Sequence, residues 1–330
     1  MSRLSIIVPV CDAREYVVPC VESLLNQTLE DIELVFADDN GKDGSMDAIR
    51  ELTASYHGGK KIVFTGTPAN SGPGTARNAG LAMATGEYVA FVDSDDRLEP
   101  DFSEALLTAA EDNDADLAYC SIRLENPACR ISRVKSNRPV HSGPFQDTDR
   151  RQFLVSFVSY FTTFLYRRAF LEENGICFPA TRSSEDSAFL VSCILAARKI
   201  AVVQKPLYIY IQRYPSLSTR KDPGRYLQRI LSFNSMLAYA RSHGFYAAYQ
   251  QEIDFLYLKK AFLMACKTYV DNEEKPSARV FKDLSEGLEK KLPEYRKNAY
   301  LKKAPKVRLA VWLIRHQPLL ACYVLRLINA

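Results

Sequence analysis

The chain has 330 residues, 47% hydrophobic and 25% charged, the composition of a folded protein of one large or two smaller domains. Its eight cysteines form no C-x-x-C pair and its four histidines no metal-spaced pair, which speaks against a zinc site or a disulfide framework and for a reducing cytoplasm. The net charge of +4 hides an asymmetry: residues 290–330 hold ten Lys or Arg and one acid, Glu294, a local +9 that leaves −5 on residues 1–289, so the body is a poor nucleic-acid binder while the basic tail suits a membrane surface.

Leu4 to Val10 is an apolar, β-rich run and reads as a buried first strand. Because Ser2 to Val10 runs straight into this pattern, no secretory signal is expected. Asp12 is placed to cap a helix over Arg14–Gln27, where Val17, Val21, Leu24 and Leu25 have helical spacing. Ile32–Ala37 is a second strand, ending in the polar loop Asp38-Asp39-Asn40-Gly41-Lys42-Asp43-Gly44-Ser45 before a helix at Met46–Tyr56. Lys61–Thr65 is a third strand, followed by a loop at residues 70–80 that enters a helix. Tyr88–Val92 is a fourth, and it stops in three carboxylates, Asp93, Asp95 and Asp96. Beyond Pro100 come a helix to Asp112, a strand at Leu117–Ile122 and a polar, irregular stretch over 123–150 that reads as a loop over the site or a surface insertion. Phe164–Tyr166 is a short strand, Arg168–Glu173 a helix, and Ser184 an N-cap for a helix opening with Glu185-Asp186. Ile200–Val203 and Leu207–Ile211 read as two more strands, and helical pattern runs from Pro223 to the end.

Strands alternating with helices imply a parallel sheet, whose ligands bind outside the carboxyl ends of the strands. The polar clusters at 38–43, 70–78 and 93–96 all fall there and converge on one crevice. Three negative charges at the mouth of one strand call for a cation, such as a divalent metal carrying phosphates. No G-x-G-x-x-G follows the first strand and no P-loop motif occurs, which disfavours dinucleotide dehydrogenases and P-loop enzymes.

With these motifs in order, the chain resembles the family 2 glycosyltransferases, the inverting group with the GT-A fold. The resemblance rests on Ser5-Ile6-Ile7-Val8-Pro9-Val10, Asp38-Asp39 with Asp43-Gly44-Ser45, Gly74 to Gly80 including Ala76-Arg77-Asn78, Asp93-Ser94-Asp95-Asp96, Glu185-Asp186, Gln204 to Tyr210 and Ser216-Leu217-Ser218. It implies an α/β fold, a Rossmann-like, mostly parallel sheet flanked by helices, with a transferase domain over 1–222 and a helical region over 223–330. Residues 1–100 would form the nucleotide-sugar half and 101–222 the acceptor half. Pro9, Val10, Asp12, Asp39, Arg77, Asp93 and Ser94 are the implied donor-contacting positions: Asp39 would accept from the base, Arg77 lie near the nucleotide and Asp93 touch the ribose. Asp95 would bind Mg²⁺ or Mn²⁺ on the diphosphate, with Asp93 and Asp96 as further acids of the metal set, Asp96 alternatively capping the next helix. Asp186 would be the general base and Glu185 would position the acceptor.

Two positions depart from the family pattern: Cys11-Asp12 stands where Tyr-Asn is frequent, and Asn40-Gly41-Lys42 where Gly-Ser-Thr is usual. Loss of the aromatic leaves a non-catalytic nucleotide-sugar-binding module as the alternative. A sugar nucleotidyltransferase would need a basic glycine-rich loop after the first strand, and an aspartyl-phosphate phosphatase its paired Asp there. Arg213 is placed to reach a phosphate or to lie on the surface. Val307–Ile314 and Leu319–Ile328 are too short to span a bilayer, but with Lys302, Lys303, Lys306 and Arg308 they suit an anionic headgroup region. The expected partners are thus a UDP-linked donor, a glycan or lipid-linked acceptor in surface polysaccharide synthesis, and a peripheral membrane contact through 302–328. The expected location is the cytoplasm.

Overall fold

The computed structural model describes residues 2–126, 128, 131–135, 141–156, 158–213 and 222–327. It divides into two compact units. The first comprises Met1–Asp149, Val158–Ala180 and Ala196–Ser216; the second comprises Arg150–Phe157, Thr181–Leu195 and Leu217–Ala330. Two short segments from the first two-thirds of the chain thus group with the C-terminal helices.

The first unit opens with β1 (Leu4–Val10), α1 (Val17–Leu25), β2 (Ile32–Asp38), α2 (Ser45–Ala54), β3 (Lys61–Gly66), α3 (Pro73–Met83) and β4 (Tyr88–Phe91). Then come β5 (Arg97–Leu98), α4 (Phe102–Asp112), β6 (Leu117–Asn126), β7 (Ile131–Lys135), β8 (Gly143–Pro144) and α5 (Asp147–Val155), and after these β9 (Phe164–Arg167) and α6 (Arg168–Glu173). α7 (Glu185–Ala196) belongs mainly to the second unit, and β10 (Lys199–Ile211) returns to the first.

The sheet order is β3-β2-β1-β4-β9-β6-β10-β5, with β7 on β6 and β8 on β10. β1 is buried from end to end, as expected of a strand covered on both faces. It pairs in parallel with β2 and β4. α1 buries Val17, Cys20, Val21 and Leu24, one stripe at helical spacing. α3 begins at Pro73, where a missing N–H costs nothing. It packs so closely on β1 that a Cβ on Gly80 would lie 2.4 Å from Ile7 Cγ2.

Several sequence expectations are corrected. The mostly parallel sheet is found as expected; to it β9 adds an antiparallel member between β4 and β6, and β5 pairs antiparallel with β10. The two short strands expected at 200–211 are one strand, parallel to β6, with register shifts around Pro206. Proline interrupts the ladder there without ending the strand. Much of 123–150 is regular: β6 continues to Asn126 and pairs with β7, β8 joins β10, and α5 begins at Asp147. Residues 136–140 lie outside the described residues, as do Ser216, Leu217 and Ser218. Asp12 does not cap α1. It takes φ +48° and its carboxylate accepts from the Lys42 N–H at 3.0 Å, tying β1 to the loop after β2. Asp96 does not cap α4 either, since its oxygens are turned inward towards β10. Ser184 precedes α7 at φ +64°, not in the extended conformation a side-chain N-cap adopts.

In the second unit, α7 is followed by α8 (Arg225–Ser242), α9 (Phe245–Leu256), a π-helical segment (Tyr257–Leu263), α10 (Met264–Asn272), α11 (Ala278–Lys291), α12 (Ala299–Lys302), α13 (Pro305–His316) and α14 (Pro318–Leu327). Phe189, Phe233, Leu237, Ile253, Leu258 and Phe262 are among its buried side chains. Among the described residues, no helix is long and apolar enough to cross a membrane.

Candidate active site

Three loops meet at the carboxyl ends of β1, β2 and β4. The loop after β2 is held by Asp39, which is buried. Its carboxylate accepts from the Ser71 N–H at 2.7 Å, the Gly72 N–H at 2.8 Å and the Thr67 hydroxyl at 2.9 Å. It thus fastens the loop after β3, the turn-organising role that is the plain alternative to contact with a base. A carboxylate offers about four acceptor positions, so one remains for a ligand donor. Asn70 donates to Cys11 Sγ at 3.2 Å, which brings the same loop against the end of β1. Burial and nearby carboxylates, Asp12 first, push the Cys11 thiol up to about 11. Beside it, Val10, Cys11, Asp38, Gly41, Lys42 and Ser45 help line a recess of about 250 Å³.

The α3 motif Ala76-Arg77-Asn78 is not a surface feature. Arg77 is buried, bonds Asp93 Oδ1 at 2.8 Å and lies 4.6 Å from the Phe161 ring and 5.3 Å from that of Phe178. Asn78 grips the Phe178 backbone twice, donating to its carbonyl at 2.8 Å and accepting from its N–H at 3.0 Å. α3 thereby fixes the 161–178 segment against the carboxylates.

The three acids after β4 have three different surroundings. Asp93 faces Arg77. Asp95 is ion-paired with Arg213, whose guanidinium lies 4.0 Å over the Tyr16 ring. Despite that cation, Asp95 is held above the usual carboxylate range, chiefly by burial and then by Asp93. Asp96 points inward, accepting from the Tyr208 hydroxyl at 2.6 Å and the Ile211 N–H at 2.9 Å. Burial, then Asp95 and Asp93, push its carboxyl well up. Tyr208 also accepts from the Asp93 N–H at 3.3 Å, so one phenol ties the acidic turn to β10. Ser94, between these acids, is buried.

Among the described residues, no set of three or more His, Cys, Asp or Glu side chains is arranged to hold a metal. Of the three acids Asp96 is buried, one oxygen accepting from the Tyr208 hydroxyl and the other from the Ile211 N–H, whereas Asp93 and Asp95 are partly exposed. A metal that arrives with phosphates needs only one or two carboxylates. Asp93 and Asp95 are partly exposed hard oxygen donors of that kind, each ion-paired here with a guanidinium, Arg77 and Arg213, that a metal would displace. Tyr16, Asn78, Tyr208 and the pairing of Arg213 were not assigned from sequence. The aromatic just beyond Cys11 and the Tyr in the 204–210 motif were the available signals.

Glu185 and Asp186 open α7 in the second unit. Glu185 is buried and Asp186 half-buried. The loop before them is pinned to α8: Arg182 N–H donates to Gln228 at 3.3 Å, and the Ser232 hydroxyl, which also pairs with Thr181, donates to the Ser183 carbonyl at 2.7 Å.

Comparison with known proteins shows the family. The family described as "Glycosyl transferase family 2" matches residues 5–175. The uncharacterized glycosyltransferase EpsJ of Bacillus subtilis is 27% identical over 258 residues, 76% of this chain and 73% of its own. The poly(ribitol-phosphate) beta-glucosyltransferase of Bacillus spizizenii is 32% identical over 218 residues, 63% of this chain but only 32% of its own. Among solved structures, Staphylococcus aureus TarS 1–349 in complex with UDP-GlcNAc has a TM-score of 0.63 at 20% identity, covering 90% of this chain and 88% of its own. A mannosyltransferase from Pyrobaculum calidifontis in complex with GDP-Man and Mn²⁺ scores 0.53 at 14% identity, covering 98% and 86%. These likenesses give the fold as GT-A, a mixed, mostly parallel sheet flanked by helices with a helical C-terminal region. The chain is a glycosyltransferase and belongs to glycosyl transferase family 2.

Proposed function

We propose that the enzyme transfers a sugar, with inversion, from a UDP-linked donor to a hydroxyl of a glycan or lipid-linked acceptor in surface polysaccharide synthesis. The observation that carries this reading is the pair of partly exposed carboxylates, Asp93 and Asp95, at the end of β4. The UDP-GlcNAc bound to the TarS structure supports the choice of donor, and the poly(ribitol-phosphate) relative supports an acceptor within a surface polymer.

Asp95, with Asp93, would hold Mn²⁺ or Mg²⁺, and the metal would supply charge neutralisation of the departing diphosphate. Asp39 keeps one acceptor position for the base. Arg213 is close enough to Asp95 to serve the phosphates. Ser94, Pro9, Val10 and Asp12 complete the donor side. Asp186 takes the proton from the acceptor hydroxyl as its oxygen attacks the anomeric carbon, and Glu185 positions the acceptor. Asp96 organises the turn through Tyr208 and Ile211 and holds no metal. The test is UDP release from a panel of nucleotide-sugars with Mn²⁺ present. One UDP-sugar is expected to be turned over fastest; turnover of a purine-diphosphate sugar alone would contradict the donor assignment.

The tail supports a peripheral membrane contact. Leu309 (56%), Trp312 (50%), Leu319 (78%), Leu320 (51%) and Tyr323 (64%) are exposed on two helices carrying Lys306, Arg308, Arg315 and Arg326. Exposed apolar and aromatic groups on helices that also carry cations suit an anionic interface. Trp312 is the single tryptophan of the chain and reports directly. Its emission is expected to shift to the blue with phosphatidylglycerol vesicles and to stay put with phosphatidylcholine or in Leu319→Asp. An unchanged spectrum with anionic vesicles refutes the contact.

A further inference from the structure

The second unit holds a cavity of about 420 Å³ that none of the proposed transfer residues lines. Its walls come from α8, α11 and the π-helical segment. Leu227, Ile230, Phe262, Val280, Leu284 and Leu288 give it an apolar lining. Tyr257 lines it too, and its hydroxyl is already spent on Asn234 at 2.8 Å. The π-helical segment that supplies Tyr257 and Phe262 is an irregularity of a kind that recurs at functional sites. Leu227 and Asp283 are exposed, so the cavity opens to solvent beside them.

Protein interiors are close-packed, and voids much larger than a water molecule are few. An apolar hollow of this size, with a few polar groups at its edge, falls in the range of small-molecule sites. Gly287 adds an independent observation. It lies inside α11 and lines the cavity. Glycine within a helix is unfavourable relative to alanine. Neither a left-handed φ nor a close neighbour requires it here, because a Cβ at this position would meet nothing within 4 Å. Its missing side chain leaves the wall of the hollow clear.

The surroundings say what the occupant is. α13 and α14, the helices with the exposed apolar groups, both pack on α11, and Arg315 of α13 is ion-paired with Glu289 of α11. The helix that forms one wall of the cavity therefore carries the tail's membrane-facing pair. Asp283 and Lys291 line the cavity eight residues apart on α11, about 12 Å along the helix. Lys290 and Lys291 close that helix. An anionic head group is thus favoured at the Lys291 end and disfavoured at the Asp283 end.

We propose that this cavity takes one acyl chain of an anionic phospholipid, with the head group at Lys291, and so retains the enzyme at the bilayer. The membrane as the source of the chain rests on the reading of the tail as a membrane contact; the chain site itself does not.

The test is calorimetric titration of the full chain with lauroyl lysophosphatidylglycerol below its micellar concentration. Glycerol 3-phosphate supplies the head without the chain, lauroyl lysophosphatidylcholine the chain without net charge, and farnesyl phosphate an isoprenoid chain. The wild type is expected to bind one lysophosphatidylglycerol saturably, the choline lipid more weakly and glycerol 3-phosphate not at all. Gly287→Leu, which fills the hollow, is expected to weaken binding at least about tenfold without lowering the melting temperature. Should that variant fail to fold, Leu227→Glu at an exposed position sets a carboxylate at the mouth and is expected to give the same loss. Absence of saturable binding, equal binding of glycerol 3-phosphate, or unchanged binding in the folded variants overturns the chain site. Equal affinity for the choline lipid overturns the placing of the head group, and tighter binding of farnesyl phosphate overturns the acyl assignment. If Trp312 emission stays unshifted with anionic vesicles while lysophosphatidylglycerol still binds, the membrane contact falls and the chain site stands.

Discussion

Asp95→Ala is expected to lower the rate of sugar transfer by about 10²–10³-fold, the scale of removing one preorganised electrostatic contact to a developing charge. Two readings of Asp95 compete. As a mere ion-pair partner of Arg213 it would serve stability alone, and its loss would leave turnover nearly intact. As the residue holding the diphosphate's metal, its loss removes rate and metal dependence together. Initial rates of UDP release across a Mn²⁺ titration separate the two. The second reading requires that added Mn²⁺ no longer stimulate the variant. The folded state should be spared, because Asp95 is partly exposed and the buried anchor of the turn is Asp96, through Tyr208 and Ile211. The matching control is Asp96→Ala, which strips two internal hydrogen bonds and is expected to act mainly on the melting temperature.

Asp186→Asn is expected to reduce kcat by about 10²–10⁴-fold, the usual contribution of a positioned general base. Asn keeps the size and hydrogen-bonding shape but cannot take the proton. The KM for the donor should hardly change, because the proposed donor contacts lie on the loops after β1, β2 and β4 and on α3. Glu185→Gln should act less on kcat and more on the acceptor KM if Glu185 positions the acceptor. Steady-state kinetics with donor and acceptor varied in turn give this split. A kcat for Asp186→Asn within a few-fold of wild type would remove it as the base and leave α7 with a structural pair of acids.

The fold from β1 to β4 was legible because most of its strands end in recognisable chemistry. β1 is a continuous apolar run, β2 ends in Asp38-Asp39, and β4 ends in carboxylates; the helices between carry clear periodic stripes. The chain beyond β4 was harder to read, for physical reasons. A buried antiparallel strand such as β9 looks the same in sequence as a parallel one, so the mixed order could not be read from pattern. β10 looked like two strands because Pro206 breaks the apolar run without breaking the pairing to β6. The β6–β7 hairpin lies in polar sequence, since long-range pairing and not local propensity makes it a strand.

The site was legible at the level of residue types and less so at the level of partners. Asp39, Arg77 and the three acids are the candidates the sequence offers, and the structure gives each of them a protein partner. Asp39 holds a turn, Arg77 stacks on Phe161 and Phe178, and Asp96 is an internal strut. Nothing in the sequence spacing ties Arg213 to Asp95, or Tyr208 to Asp96, because these pairs are more than one hundred residues apart and meet only through β10. The grouping of 181–195 with the C-terminal helices was hidden for the same reason.

The most direct test of the central claim, that Asp95 holds a metal-bridged UDP-sugar at the end of β4, is a thermal-unfolding titration with UDP. It is run with and without Mn²⁺, on the wild type and on Asp95→Ala. A ligand at about 100 times its Kd adds roughly 2.7 kcal/mol to the native state, which is read as a raised midpoint. The account predicts a rise for the wild type that needs both UDP and Mn²⁺, and none beyond that of UDP alone for Asp95→Ala. An equal rise in both proteins, or no rise in the wild type under any condition, would contradict it.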